Sequence, residues 1–203
     1  MDPFTTLAAT AVPLATANVD TDQIIPARFL RVPRREGYAG FLFHDTRRTA
    51  EGQMKPDFVF NEPAYAGASI VVAGENFGCG SSREGAVYAL LDGGFRCVLA
   101  PSFGDIFFNN CFKNGVLAAR LPHDVITALQ VRLAAQPGLR IVVDLPTQTI
   151  TVGNDAPIGF EIDAFRKMCL MRGLDDISLT REHGPEIEAF EQRQRAAEPW
   201  LSR

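Results

Sequence analysis

Residues 74–85 read GENFGCGSSREG, with glycines at 74, 78 and 80, then Ser81, Ser82, Arg83 and Glu84, before an apolar helical pattern resumes. Two hydroxyls followed by a guanidinium are natural ligands of an anion. Serine donates to carboxylate or phosphate oxygens, and arginine grips a carboxylate through two parallel hydrogen bonds. The run just before, ASIVVAG at 68–74, has the length and continuous apolar character of a strand buried on both faces. The glycines therefore fall where a strand turns into a helix, a place where backbone N–H groups converge and the helix dipole adds partial positive charge. Gly78, Cys79 and Gly80 supply the backbone of the turn, and glycine lets that backbone come close to a ligand. Glu84 suits a first helical turn and is placed to hold Arg83. Nucleotide-binding readings fail, because no P-loop lysine is present and the GxGxxG pattern begun by Gly78 and Gly80 breaks at Arg83. The stretch also reads as a capped helix start, with Ser81 or Ser82 as N-cap, and the pattern alone does not choose between the two.

Residues of this kind need a scaffold, and the rest of the chain describes one. The opening FTTLAATAVPLATANVDTDQIIPARFL predicts a strand, a polar turn around Asn18 to Asp22, and a short apolar segment stopped by Pro26. Between 28 and 48 stand six arginines against Glu36 and Asp45, with glycines and Pro33 but no clean periodicity. An irregular, partly mobile surface loop is expected there. After the strand at 68–74 come helix-like spacing from Arg83 to Leu91, a buried strand RCVLA, a helix FGDIFFNNCFKNG ended by Gly115, and a short strand VLAA. The segment LPHDVITALQVRLAAQPG predicts a helix closed by Pro137 and Gly138; LRIVVDL and QTITVG follow as an antiparallel pair. From about 160 to 203 helices are expected, Gly173 breaking the first and HGPE starting the last. Strands alternating with helices favour an α/β fold with a parallel core. The expectation is a single domain spanning 1–203: a mixed, mostly parallel sheet with flanking helices and an added antiparallel strand pair.

Composition bounds the function. The 203 residues are 46% hydrophobic and 22% charged, with a formal net charge of -4, ordinary for a soluble globular chain and no natural binder of polyanions. No apolar run approaches the roughly 18 to 20 residues of a membrane-spanning helix, and the N-terminus lacks a secretory pattern. The four cysteines, 79, 97, 111 and 169, show no CxxC motif and no Cys/His pairing at zinc spacing. Reduced thiols in a cytoplasmic protein are expected, with no metal held by this chain.

Three segments together, NVDTDQIIPARFL, GENFGCGSSREG and APSFGDIFFNNCFKNGVL, stand in the order and spacing of the small subunits of bacterial 3-isopropylmalate dehydratases, the swivel domain of the aconitase superfamily. IDAFRKMCLMRGLDDISLT resembles the C-terminal part of those subunits, so the resemblance covers nearly the whole chain. It implies an aconitase swivel-type fold. It also implies a hydro-lyase subunit that isomerises 2-isopropylmalate to 3-isopropylmalate through 2-isopropylmaleate in leucine biosynthesis, active only with a large subunit. By the same resemblance Ser81 is the base that takes the carbon-bound proton, and Ser82 and Arg83 bind the dicarboxylic hydroxy-acid substrate. A four-iron, four-sulfur cluster is expected on the large subunit, and none of the cysteines here has the clustering of cluster ligands.

The resemblance also singles out Asp22 beside the site, leaving Asp20 as turn chemistry, and places the segment after this aspartate at the substrate pocket. Arg28, Phe29, Leu30 and Val32 mix cationic and apolar character, as a pocket for a branched apolar group beside carboxylates requires. One departure stands out: the resembled subunits commonly carry His after GSSRE, and this chain carries Gly85. That keeps a second substrate class open, citraconate, methylmalate or another substituted maleate. A reading of another class, an RNA-binding module using the basic loop, is opposed by the net acidic charge and by the lack of aromatics interleaved with the arginines. His44, His123 and His183 share no motif, and the C-terminal EIEAFEQRQRAAEPW alternates charges as a solvated helix does.

Overall fold

In the computed structural model, which describes residues 1–201, strand β1 (Thr6–Leu14) is the pivot of one seven-stranded sheet. Its first half, Thr6 to Thr10, pairs antiparallel with β5 (Arg140–Asp144), and its second half, Ala11 to Leu14, pairs parallel with β2 (Ile70–Ala73). Pro13 lies beyond the stretch paired with β5, so its missing N–H breaks no bond of that ladder. Beyond β2 the parallel half continues through β3 (Cys97–Ala100) and β4 (Leu117–Arg120); beyond β5 the antiparallel half continues through β6 (Thr149–Val152) and the two-residue β7 (Ile158–Gly159). Three pairings are parallel and three antiparallel. The sheet is mixed as expected, and its antiparallel part is larger than a pair, because β1 and β7 join it.

Every residue of β2 and β3 is buried, which is why these strands read as unbroken apolar runs with no alternation. In β5, by contrast, Ile141 and Val143 are buried and their neighbours are not, the signature of a half-covered antiparallel strand. Helices α1 (Thr21–Ile24) and α2 (His44–Arg47) are single turns in the long connection from β1 to β2. Crossover helices α3 (Glu84–Asp92) and α4 (Asp105–Lys113) link the parallel strands and pack on each other. A right-handed path puts both on one face of the sheet. The longer α5 (His123–Ala135) returns across β1, β2 and β3. The chain ends in α6 (Ala164–Arg172), α7 (Asp176–Glu182) and α8 (Gly184–Ala197). Gly173 closes α6 in the left-handed conformation, with φ of 69°. α8 buries none of its residues.

The arginine-rich segment is not without order. It is a series of single 3-10 turns, at 27–31, 34–36 and 39–41, followed by α2, and most of its arginines have internal partners. Arg28 pairs with Asp45, Arg34 with Asp92, Arg47 with the side chain of Asn61, and Arg48 with the carbonyl of Gly52.

Candidate active site

Three loops leave the C-terminal ends of β1, β2 and β3 and are laced into one platform by their backbones. From the first loop, Asn18 N–H donates to the carbonyl of Glu75 at 2.9 Å and Thr21 N–H to that of Cys79 at 2.9 Å, while Val19 accepts from Gly78 N–H at 2.7 Å. From the third, Ser102 accepts from Phe77 N–H at 3.1 Å, and its hydroxyl accepts from Asn76 N–H at 2.8 Å. The turn between β2 and α3 is thus held from both sides, at the end of an α/β sheet where ligands ordinarily bind. Its glycines are obligatory at one place above all. Gly78 has φ of 72°, and a Cβ there would fall on the ring of Phe107.

Ser81 and Ser82 stand exposed at the crest of the platform. α3 begins at Glu84 with Arg83 in the N-cap position and no side-chain cap. The reading of either serine as a helix cap is therefore corrected. Arg83 takes the N-cap place, so Ser82 stands one residue and Ser81 two residues ahead of the position from which a hydroxyl caps α3. What fixes Ser81 is its carbonyl, which accepts a hydrogen bond of 2.8 Å from the hydroxyl of Thr21, a side chain only 1% exposed.

Arg83 is held by Asp22 across the gap between α1 and α3, through its Nη1 nitrogen. Among the described residues Nη1 alone of this guanidinium is engaged, so the Nε and Nη2 donors keep the fork that a second carboxylate matches. Glu84, expected to hold the arginine, does not: its carboxylate accepts from Asn114 Nδ2 at 2.8 Å, at the far end of α4. Residues one apart at a helix start do not face each other, so adjacency in sequence does not bring the carboxylate to the guanidinium. Asp20, read as turn chemistry, closes a capping box with Gln23 and so starts α1.

The four candidates in the arginine-rich segment separate. Leu30 comes closest to the turn, packed on Gly85 two residues beyond Arg83. Arg28 and Phe29 belong to a neighbouring cluster. Phe29 stacks on Phe41 with ring centroids 4.2 Å apart, and Arg28 lies over the Phe29 ring while pairing with Asp45. Hydrogen bonds from Arg28 and from His44 hold the Asp45 carboxyl well below the usual carboxylate range. Val32 is half-buried, its carbonyl accepting from the Tyr38 hydroxyl at 2.8 Å. Sequence reasoning missed Thr21, whose role is visible only across 60 residues of chain.

The cysteines sit on four separate elements: Cys79 in the turn, half-buried, and Cys97, Cys111 and Cys169 buried in β3, α4 and α6. Burial pushes the last three thiols up, so they are held protonated and are not ready thiolate ligands. Among the described residues no three of His, Cys, Asp and Glu gather as a metal site, and these cysteines do not fit an iron-sulfur cluster.

A mixed sheet whose strand-to-helix turn displays two serines and an aspartate-paired arginine defines a class, and residues 1–124 match it as the aconitase C-terminal domain. Residues 128–164 match LeuD_N, and residues 176–203 match the C-terminal domain of the 3-isopropylmalate dehydratase small subunit. The chain belongs to the family of 3-isopropylmalate dehydratase small subunits. It is 51% identical over 201 residues to that subunit of Paramagnetospirillum magneticum and 52% identical over 201 residues to that of Jannaschia sp., covering 99% of this chain and 100% of each relative. The crystal structure of 3-isopropylmalate dehydratase (leuD) from Methanocaldococcus jannaschii superposes with a TM-score of 0.67 at 27% identity, over 91% of this chain and 99% of the other. The resemblance carried by three sequence motifs thus holds along the chain.

Proposed function

We propose that this chain is the small subunit of a hydro-lyase that interconverts 2-isopropylmalate and 3-isopropylmalate through 2-isopropylmaleate, and that Ser81, Ser82 and Arg83 are its contribution to the site. The observation that carries the reading is the crest of the platform, where two uncapped serines stand beside an arginine set by Asp22. Arg83 takes a substrate carboxylate with its remaining donors, and Ser82 adds a hydroxyl donor beside it. Ser81 takes the proton from the carbon next to one carboxylate while the hydroxyl leaves the neighbouring carbon and the double bond forms. Returning the proton and the hydroxyl to exchanged carbons completes the isomerisation. A serine hydroxyl is a poor base, so the N–H groups of the turn, the dipole of α3 and the Arg83 charge must stabilise its alkoxide.

A four-iron, four-sulfur cluster, expected on the large subunit, supplies the Lewis acid that binds the departing hydroxyl. The scattered cysteines of this chain support its placement there. The two subunits work as a heterodimer or a multiple of it, in the cytoplasm; among the described residues no helix is long and apolar enough to cross a membrane. The internal partners of Arg28, Arg34, Arg47 and Arg48 weaken the RNA-binding reading, since those guanidiniums are committed within the chain.

The test is reconstitution with a large subunit and measurement, for each acid of a panel of substituted malates, of the correspondingly substituted maleate that it forms on losing water. Turnover that needs both chains and prefers isopropylmalate is expected. A preference for methylmalate or citraconate moves the assignment to the second substrate class, and absence of dehydration with every acid of the panel overturns the reading.

A further inference from the structure

The strands at the two edges of the sheet, β4 and β7, line one cavity of about 860 Å³ together with α4 and the start of α6. That volume lies within the range of about 300 to 1,000 Å³ usual for small-molecule sites. None of residues 78–85 lines it. On α4, the Phe107 ring lies against Gly78 of the serine turn, whereas Phe108 and Phe112 face the cavity. The floor is aromatic, Phe112 and Phe160 each being 6% exposed. The rim is charged, with Arg120, Glu161 and Asp163 exposed and Arg166 half-buried.

Both guanidiniums are seated on the same ring. The Cζ of Arg120 lies 4.2 Å from the centre of Phe108, and that of Arg166 lies 5.1 Å from Phe108 and 4.8 Å from Phe112. A ring steadies a guanidinium but satisfies none of its N–H donors in the way a carboxylate does. Arg166 also donates from Nη2 to Asn109 Oδ1 at 2.7 Å, which fixes it further. Two carboxylates share the rim and neutralise neither cation. Among the described residues none of Arg120, Glu161, Asp163 and Arg166 belongs to an ion pair. Asp163 uses Oδ1 to cap α6, accepting from Arg166 N–H at 3.0 Å, and its second oxygen is left over. Charges of both signs therefore stand unpaired around one apolar floor.

We propose that this cavity binds a free zwitterion, an α-amino acid with a large apolar side chain. Its carboxylate lies on Arg120 and Arg166, its ammonium meets Glu161 and the second oxygen of Asp163, and its side chain rests on Phe112 and Phe160. Other ligand classes fail on charge. A dicarboxylate or a phosphate brings more negative charge to a rim that already carries two carboxylates, and an apolar amine leaves both guanidiniums unmatched. A wholly apolar ligand takes water from four charges and returns no hydrogen bond. A zwitterion answers both signs at once, and side chains already seated on a ring lose little freedom when it binds.

The experiment is calorimetric titration of the full chain with L-leucine and L-phenylalanine, beside isocaproate, isoamylamine and inorganic phosphate. An amino acid should bind at a single site per chain. Isocaproate, which lacks the ammonium of leucine, and isoamylamine, which lacks its carboxylate, should bind about tenfold more weakly or worse, the loss of a charge-assisted contact. Arg120→Gln and Glu161→Gln change exposed side chains, so each variant should melt with the parent while its affinity for leucine falls about tenfold. The methyl resonances of Ile162, which lines the cavity, should shift on titration. Arg83→Gln should leave the affinity unchanged, which separates this cavity from the serine turn. Absence of both heat and an Ile162 shift with either amino acid at millimolar concentration overturns the proposal. So does isocaproate or phosphate binding as tightly as leucine, which makes this an anion site, or an affinity that Arg83→Gln abolishes and Arg120→Gln leaves intact.

Discussion

Replacing Ser81 by alanine separates chemistry from structure with little ambiguity, because the hydroxyl caps nothing. The isolated Ser81→Ala chain should melt with the parent, while turnover of the reconstituted complex should fall by about 10² to 10⁴-fold, the usual contribution of a general base. Near-normal turnover would place the base elsewhere. Thr21→Val tests the support beneath it. Losing the bond to the Ser81 carbonyl should cost about 1 kcal/mol of stability, which in a chain of this length lowers the melting temperature by about 2 to 4 °C. kcat should fall more than KM changes, and Thr21→Ser, which keeps the hydroxyl, should restore it; if serine restores stability but not kcat, Thr21 is structural only. The serines and the arginine drew notice because residues of anion-binding type follow a strand pattern and three glycines, although the same pattern also fitted a helix cap. Thr21 was not legible, and neither was the partner of Arg83: both depend on contacts 60 and 61 residues apart, which no local pattern records. A closer signal existed for α1, since Asp20 and Gln23 stand at capping-box spacing.

The turn between β2 and α3 works only if the element before it and the helix beside it leave it room. Gly78→Ala should be among the most damaging small substitutions in the chain. It forces a Cβ onto the Phe107 ring and a left-handed φ on a residue that disfavours it, costs of about 1 to 3 kcal/mol and about 1 to 2 kcal/mol respectively. Urea unfolding of the isolated chain should show the midpoint displaced accordingly; a variant as stable as the parent would mean that α4 yields easily, and that the platform is softer than its lacing implies. Elements with strong patterns were readable at this scale. β2 and β3 declared themselves by unbroken apolar runs, and α4 and α6 by the glycines that follow them. β7 had no such mark. Two residues long, it exists because β6 offers its free edge to Ile158 and Gly159. The arginine-rich segment lacked periodicity for a related reason: its order comes from Asp92, Asp45 and Asn61, each supplied by a different part of the chain or by the opposite end of the same loop.

At the scale of the whole molecule, a chain whose four cysteines lie on four elements should purify colourless and free of iron, and should acquire activity only on mixing with a large subunit that carries the cluster. One cluster per isolated chain, found by iron analysis, would contradict the division of labour between the subunits. The fold class was accessible from alternating strand and helix patterns, yet the division of the sheet at β1 was not, because a single strand serving two neighbours of opposite direction reads like any other strand. That shared strand bears on how the protein is made. Its Thr6 end pairs with Asp144, 138 residues later, so during synthesis the N-terminal strand leaves the ribosome long before the segment that completes it. The parallel half can close on β1 as soon as β2 emerges, but until residues 140–144 appear, the first half of β1 offers an open edge to any other strand nearby. A nascent or truncated chain that stops short of Arg140 is the form most exposed to misassociation, and long-range closure of this kind is a slow step in folding.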